Sequence, residues 1–344
     1  MKKLLLAMTT MGLLHACVKL PADADYLSKG AGYTQSNFQP ILGRTTVMPN
    51  DPFATIFNAD HSTLPLTFKM LSVRDAETGD TVDLFNKTFD VQVWKEAYTG
   101  FETTREEIEK KRVIEKHRLF EVREHSGQLV FWTPQDLQYL NAVKVQPHKG
   151  YKFDIEVSNS GGSKVIHNLE LQPLRPQPFE PTNVDPVTGN SYGVLRPSVV
   201  SGIKNYNDDS YLSSADVQMV FYKDLNSKEN TLTFEFRDSS YAPIDPKKFN
   251  STQWEKVCHH FGEPVFTPEG VTYQVAYPIP LAAITTQYTT VNGLSAQSMF
   301  SFNRIGTGGM RQDATIGTQF RIFEPGAWKI IFWFYRGNPD FRNN

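Results

Sequence analysis

Cys258-His259-His260 puts a thiol and two imidazoles in three consecutive positions, and these are the side chains that bind zinc and similar ions. Adjacent residues rarely converge on one ion, and no second Cys/His pair stands at metal-site spacing. The run therefore reads as a small buried thiol beside a helix end or turn, and no metal or other cofactor is expected. Glu121, Glu124 and His125 offer acid–base groups. Glycoside hydrolysis, however, needs two carboxylates facing across a cleft, ~5–9 Å apart, and one strand with its turn does not supply them. Arg304-Ile305-Gly306-Thr307-Gly308-Gly309-Met310 has the glycines of a phosphate loop. It lacks the following lysine and the strand–loop–helix context, so it reads as a tight β-turn. Serine-hydrolase chemistry is not expected either. The expectation is a protein without catalysis.

A different chemistry lies at Leu14-His15-Ala16-Cys17. It closes the apolar run Leu4 to Leu14, which follows Lys2 and Lys3. Charged, apolar and small-residue regions in that order mark residues 1–16 as a secretory signal. A cysteine directly after the cleavage position resembles the lipobox of bacterial lipoproteins. The resemblance implies cleavage before Cys17, diacylation of its sulfur and acylation of its new amino group. The apolar run is far shorter than the roughly 20 residues of a spanning helix. The membrane is therefore reached through the lipid, where each buried CH₂ contributes ~0.8 kcal/mol and several chains hold firmly. Residues 17–39 are polar and read as a lipidated tether that can lie along the first domain. Asp23 and Asp25 resemble the acidic export signal that sends Bacteroidota lipoproteins to the outer leaflet of the outer membrane, which implies a surface-facing location.

With Cys17 acylated, Cys258 has no partner in the chain, which excludes a disulfide framework. The formal charge is −2, from 35 Lys and Arg against 37 Asp and Glu; loss of Lys2 and Lys3 with the signal makes it −4. That is no footprint for nucleic acid. Apolar content of 40% with 24 Phe is enough for real cores, and 344 residues is a two-domain length.

The elements are mostly short strands. Leu64, Leu66, Phe68 and Met70 alternate onto one face, and Phe89 to Trp94 alternates again. Phe120 to His125 and Gln128 to Trp132 flank Ser126-Gly127, and Tyr151 to Ser158 and Val165 to Leu171 flank Asn159-Ser160-Gly161-Gly162. Both read as hairpins. Between them, Thr103-Thr104-Arg105-Glu106 resembles a capping box. Glu106 to Lys116 then reads as a short exposed helix with a solvated charged face and pairs such as Glu107–Lys111. Residues 40–178 are expected to form an immunoglobulin-like β-sandwich. Four prolines between Pro173 and Pro181 exclude a central strand and read as a semi-rigid linker. Residues 190–344 are again strand-rich, with Trp328 to Tyr335 apolar on both faces and a hint of helix only from Lys247 to His260. They are expected to form a second, jelly-roll-like β-sandwich, which makes the whole chain all-β.

Leu42-Gly43-Arg44-Thr45-Thr46, Ser62-Thr63-Leu64-Pro65-Leu66, Tyr98-Thr99-Gly100, Glu121-Val122-Arg123-Glu124-His125-Ser126-Gly127 and Ser158-Asn159-Ser160-Gly161-Gly162 resemble Bacteroidota lipoproteins of the domain-of-unknown-function 5007 family. Such proteins are encoded near TonB-dependent transporters and their SusD-like lids. The resemblance implies an accessory role in nutrient uptake, with glycans the expected cargo and the transporter and lid the expected partners. It carries over no site residues. A stand-alone surface glycan-binding protein is the alternative reading, and a glycan-active hydrolase the least favoured.

Glycan binders stack sugar rings on exposed aromatics beside hydrogen-bonding groups. Trp94, Trp132, Trp328 and Trp333 sit in or beside strand alternations and are expected in cores. Trp254 lies in a polar segment and is the tryptophan most open to exposure. Tyr206, Tyr211 and Tyr241 lie in polar loops that can line a shallow site at one end of the second sandwich. Asp80-Thr81-Val82 resembles the short O-glycosylation acceptor motif of Bacteroidota, which makes Thr81 a candidate modification site.

Overall fold

The computed structural model describes residues 25–49, 55–208, 210–305 and 309–342; the signal, Cys17 and the start of the tether lie outside them. Strands dominate and form two sandwiches. One hydrophobic cluster draws on Ala31 to Leu171 and another on Ile203 to Phe334.

The first sandwich is built on the hairpin of Tyr151–Asn159 and Gly162–Leu171, turned at Ser160-Gly161 as its turn chemistry predicts. Thr67–Asp75 pairs with the first of these strands, and Asn37–Phe38 adds in parallel to the second. A sheet of Thr46–Met48, Leu129–Phe131 and Phe120–Val122 faces them. Strand alternation sends Phe153, Ile155 and Val157 inward, and Phe120 meets Phe153 edge-on at 4.9 Å.

Two expectations for this half need correction, and a third is made definite. Leu66 and Phe68 are buried as expected, but Leu64 is 70% exposed, because Pro65 separates it from the strand. The second half of the tether is docked, in line with its reading as a segment that can lie along the first domain. From Asp25 the chain lies along the sandwich, Gly32–Tyr33 pairs with Phe57–Asn58, and Ala31 and Phe38 are buried. Two apolar side chains in a polar stretch are enough to dock it. The charged helix is also shorter and less solvated than its composition implies. It spans Arg105–Lys110, and Thr104 Oγ1 caps it by accepting from Glu107 N at 3.2 Å. Glu107 accepts from Thr103 N at 2.7 Å, and Lys111 bonds Glu102 rather than Glu107. The chain then returns as Arg112–Arg118 against Thr88–Trp94. This arm carries the fully buried Ile108 and the largely buried Tyr98 onto Ala276 and Leu281 of the second sandwich.

In the second sandwich one sheet runs Gln218–Asp224, Ala327–Trp333, Thr231–Arg237, Gly270–Gln274, Phe261–Thr267. Ala327–Trp333 is central, as its two apolar faces predict, and pairs in parallel with Thr231–Arg237. The other sheet centres on Arg311–Ile322, with Ala296–Ile305 on one side and Phe179–Glu180 and Val199–Ser201 on the other. Phe234, Phe236, Phe300 and Phe332 fill the space between. The helix expected within Lys247 to His260 is reduced to two 3₁₀ turns, Pro246–Lys248 and Trp254–Lys256. Its short polar residues are engaged elsewhere: Asn250 and Thr252 side chains accept from Asn303 N and Ser301 N along the edge of Ala296–Ile305. Phe261–Thr267 forms a strand despite Gly262 and Pro264, because it is a bulged edge.

The proline segment is tied down at both ends. Leu174 bridges Ile41, and the Phe179 ring stacks on Phe221 at 4.4 Å. Glu180 holds Arg44 of the first sandwich and Arg321 of the second, and both guanidiniums lie over Phe323, at 4.4 and 4.7 Å. Register then fixes the ends. Asp25 and Tyr26 lie at the hairpin tip, beside Ser160 and Asn159. The linker leaves from the opposite end of Gly162–Leu171. In the second sandwich Ile322, Ala327 and Thr231 lie at the junction end, and Arg237, Trp333 and Arg304 lie at the far end.

Candidate functional site

The far end of the second sandwich is closed by three loops. Tyr206 and Tyr211 flank a turn whose arms are joined by the bridge between Lys204 and Tyr211 and by Asn205 N donating to Ser210 O at 2.8 Å. Tyr241 lies in a turn closed by Asp238, whose carboxylate accepts from Ser240 N and Ala242 N, and it adopts φ 68°. The C-terminal segment knits the two together. Asn338 O accepts from Tyr206 N at 2.7 Å, and Asn338 Oδ1 accepts from Ser239 N at 2.8 Å.

The three tyrosines are 51%, 54% and 47% exposed, and none of their rings contacts another. Each is instead backed by a guanidinium: Arg342 over Tyr206 at 4.2 Å, Arg304 over Tyr211 at 5.8 Å and Arg237 over Tyr241 at 5.5 Å. Arg342 also bonds Asp340, and that hydrogen bond holds the Asp340 carboxyl below the usual carboxylate range. The Ser210 hydroxyl does the same to Asp208. Such an array fixes aromatic platforms among hydrogen-bonding groups.

Sequence reasoning missed the groups around Tyr241. Trp333 meets its ring edge-on at 5.3 Å, and Tyr335 lies 5.8 Å from Trp333 with Arg336 over its face. Trp333 Nε1 and Arg237 Nε are buried without a hydrogen-bond partner among the described residues. Unsatisfied buried donors are uncommon, and two beside one exposed tyrosine mark this end. The tryptophan ends its strand, but the apolar pattern runs on to Tyr335, so no sequence signal marks it as leaving the core.

Trp254 is not part of this end. Its indole packs against Phe266 at 5.1 Å and Phe300 at 5.7 Å, half-buried at the core margin. Cys258 is fully buried, and burial pushes its thiol pKa up. His259 turns to Tyr98 and the Glu102 carbonyl, while His260 bonds the Cys258 carbonyl, so the run does not converge on one point. No group of metal-ligating side chains occurs among the described residues. Glu121 meets His117 at 2.8 Å and Trp132 Nε1 at 2.6 Å rather than His125. The glycine run after Arg304 joins two strands of a hairpin and lies partly outside the described residues. A Gly-x-Ser-x-Gly pattern does occur, at Gly189-Asn190-Ser191-Tyr192-Gly193. It lies in a loop, with Ser191 exposed and bridging Val184 rather than on a strand-to-helix elbow. Thr81 is exposed beside Arg74, and Cys17 lies outside the described residues.

A model of the family described as domain of unknown function (DUF5007) matches residues 57–343. The chain belongs to this family. The DUF5007 match covers most of the first sandwich and all of the second, including every loop that carries a candidate tyrosine. No curated protein matches the sequence. Among solved structures, the two tandem V-type regions of a v-region-containing chitin binding protein are similar at 10% identity and a TM-score of 0.19. That likeness covers 84% of this chain and 97% of the other, and at this score it carries no argument.

Proposed function

We propose that this DUF5007 protein is a lipid-anchored outer-membrane accessory protein of a TonB-dependent nutrient uptake system. It binds a glycan at the tyrosine end of its second sandwich and does no chemistry on it. The observation that carries the reading is the polarity of the chain. The polypeptide leaves toward Cys17 at the hairpin tip of the first sandwich, and the tyrosines lie at the far end of the second. Lipidation at Cys17 then holds one end at the membrane, and the first sandwich acts as a spacer. Tyr206, Tyr211 and Tyr241, separated and each stiffened by an arginine, offer successive platforms to an extended chain of sugars.

The test is a pull-down from native outer membranes in mild detergent, with a C-terminal tag and mass spectrometry of co-purifying chains. A TonB-dependent transporter and its SusD-like lid in fixed ratio are expected. Recovery of the protein alone would replace this reading with that of a stand-alone surface glycan binder. A Cys17→Ser variant is expected to lose the acyl mass and leave the membrane fraction.

A further inference from the structure

The edge of the strand Ala296–Ile305 has a gap. In an antiparallel pair, alternate residues point their N–H and C=O away from the partner strand. Here the odd-numbered residues do so. Gln297 N donates to Tyr288 O at 2.9 Å, Ser301 N to Thr252 Oγ1 at 2.8 Å, and Asn303 N to Asn250 Oδ1 at 2.9 Å. Met299 lies midway in that series, so its N–H and C=O also point outward. Neither has a partner among the described residues.

These groups open into a cleft of about 300 Å³ between the 251–256 segment and the loop around Gln287. Its side chains include Gln253, Gln287, Gln297, Lys256 and Ser301, and no carboxylate lines it. The Met299 side chain lies over Gly317, where a Cβ would come within 2.3 Å of its sulfur; the glycine lets it lie flat against the sheet. Trp254 sits in the 251–256 segment, but its neighbours Gln253 and Lys256 are the residues that face the cleft.

We propose that this gap is a ligand subsite for one or two residues of a neutral saccharide. Three carboxamides, each with donor and acceptor, match hydroxyls that both donate and accept. The thioether and its methylene groups offer an apolar floor to the C–H face of a ring. The unpartnered peptide of Met299 supplies a fixed donor and a fixed acceptor. A through-running peptide strand is excluded, because the segments at Tyr288 and Ser251 already bond the edge on either side and leave about 13 Å between Gln297 and Ser301. A single lysine with no arginine pair is a poor match for a polyanion. The site lies about 17 Å along the strand from Arg304 and does not rest on the tyrosine end being a binding site.

The experiment is a titration of the full chain in detergent micelles, ¹³C-labelled at methionine methyls and ¹⁵N-labelled at methionine amides. The probes are cellotriose, maltotriose and mannotriose, with trigalacturonate and trialanine as the anionic and peptide arms. The buried Met48 and Met219 methyls report that each variant is folded. At least one neutral trisaccharide is expected to shift the Met299 methyl and amide saturably. Gln287→Ala with Gln297→Ala is expected to weaken that titration at least tenfold, while Leu225→Ala, on an exposed turn of the same sandwich, leaves it unchanged. The proposal is overturned if no neutral trisaccharide shifts Met299. It is overturned equally if only trigalacturonate or trialanine does so, or if the glutamine variant titrates like the parent.

Discussion

The Tyr98 hydroxyl lies 2.6 Å from His259 Nδ1, and this contact joins the two sandwiches. His259 Nε2 lies 2.7 Å from the Glu102 carbonyl, which only accepts, so Nε2 carries the proton and a neutral ring accepts from Tyr98 at Nδ1. Burial holds the His259 pKa below its ordinary value, against the Glu102 carbonyl and charge that raise it and His260 that lowers it further. Tyr288 stacks on the other side of the ring at 5.1 Å. The folded state therefore favours the neutral ring. Its contribution is complete above the unfolded pKa of about 6.5 and is lost as pH falls from there to the depressed folded value. Urea unfolding at pH 7.5 and 5.0 should show this loss in the parent. His259→Gln should lack it and should cost about 1–3 kcal/mol at pH 7.5.

Ile108 is the apolar centre of the same junction, fully buried and packed with Tyr98 against Ala276 and Leu281. Ile108→Ala should cost about 2–5 kcal/mol. The loss falls on the contact between sandwiches, so calorimetry should show one thermal transition separating into two.

Two glycines with similar backbone angles should respond differently. Gly79 (φ +80°) has open space where a Cβ would go, while at Gly127 (φ +69°) a Cβ would sit 2.8 Å from the Phe68 ring. Gly79→Ala should cost about 1–2 kcal/mol for the left-handed backbone alone. Gly127→Ala should cost more, because Phe68 must also move. Denaturant midpoints of the two variants check the order.

The Arg74 guanidinium hydrogen-bonds Asp154 at 2.6 Å and holds its carboxyl at about 2, with the Asn168 backbone N–H assisting and burial opposing. A depressed carboxylate contributes stability above its unfolded pKa of about 3.9, and that contribution is lost as pH falls through about 2. Carboxyl ¹³C titration should find Asp154 among the lowest aspartates, and Arg74→Ala should raise it toward the ordinary range.

Where alternation or turn chemistry dominates locally, the sequence was readable. Thr231–Arg237 has the expected bounds, and the Ser126-Gly127 and Ser160-Gly161 turns fall where their residues require φ > 0 or a tight reversal. Long-range burial was not readable. Ile108 lies in a run of charges, and packing with Tyr98 and with Ala276 and Leu281, far along the chain, removes it from water. Trp254, the tryptophan most open to exposure by its polar neighbours, is half-buried against Phe266 and Phe300. The tyrosine loops were legible as polar turns, but their meeting at Asn338 was not, because the C-terminal segment that joins them has no periodic pattern.

The measurement closest to the central claim is calorimetric titration of the mature chain with soluble glycans, for the parent and for Tyr206→Ala with Tyr241→Ala. Saturable binding of at least one glycan is expected, weakened tenfold or more in the double variant, with the parent's thermal transition retained. Parent and variant binding with equal affinity, or a parent that binds no glycan, would contradict it.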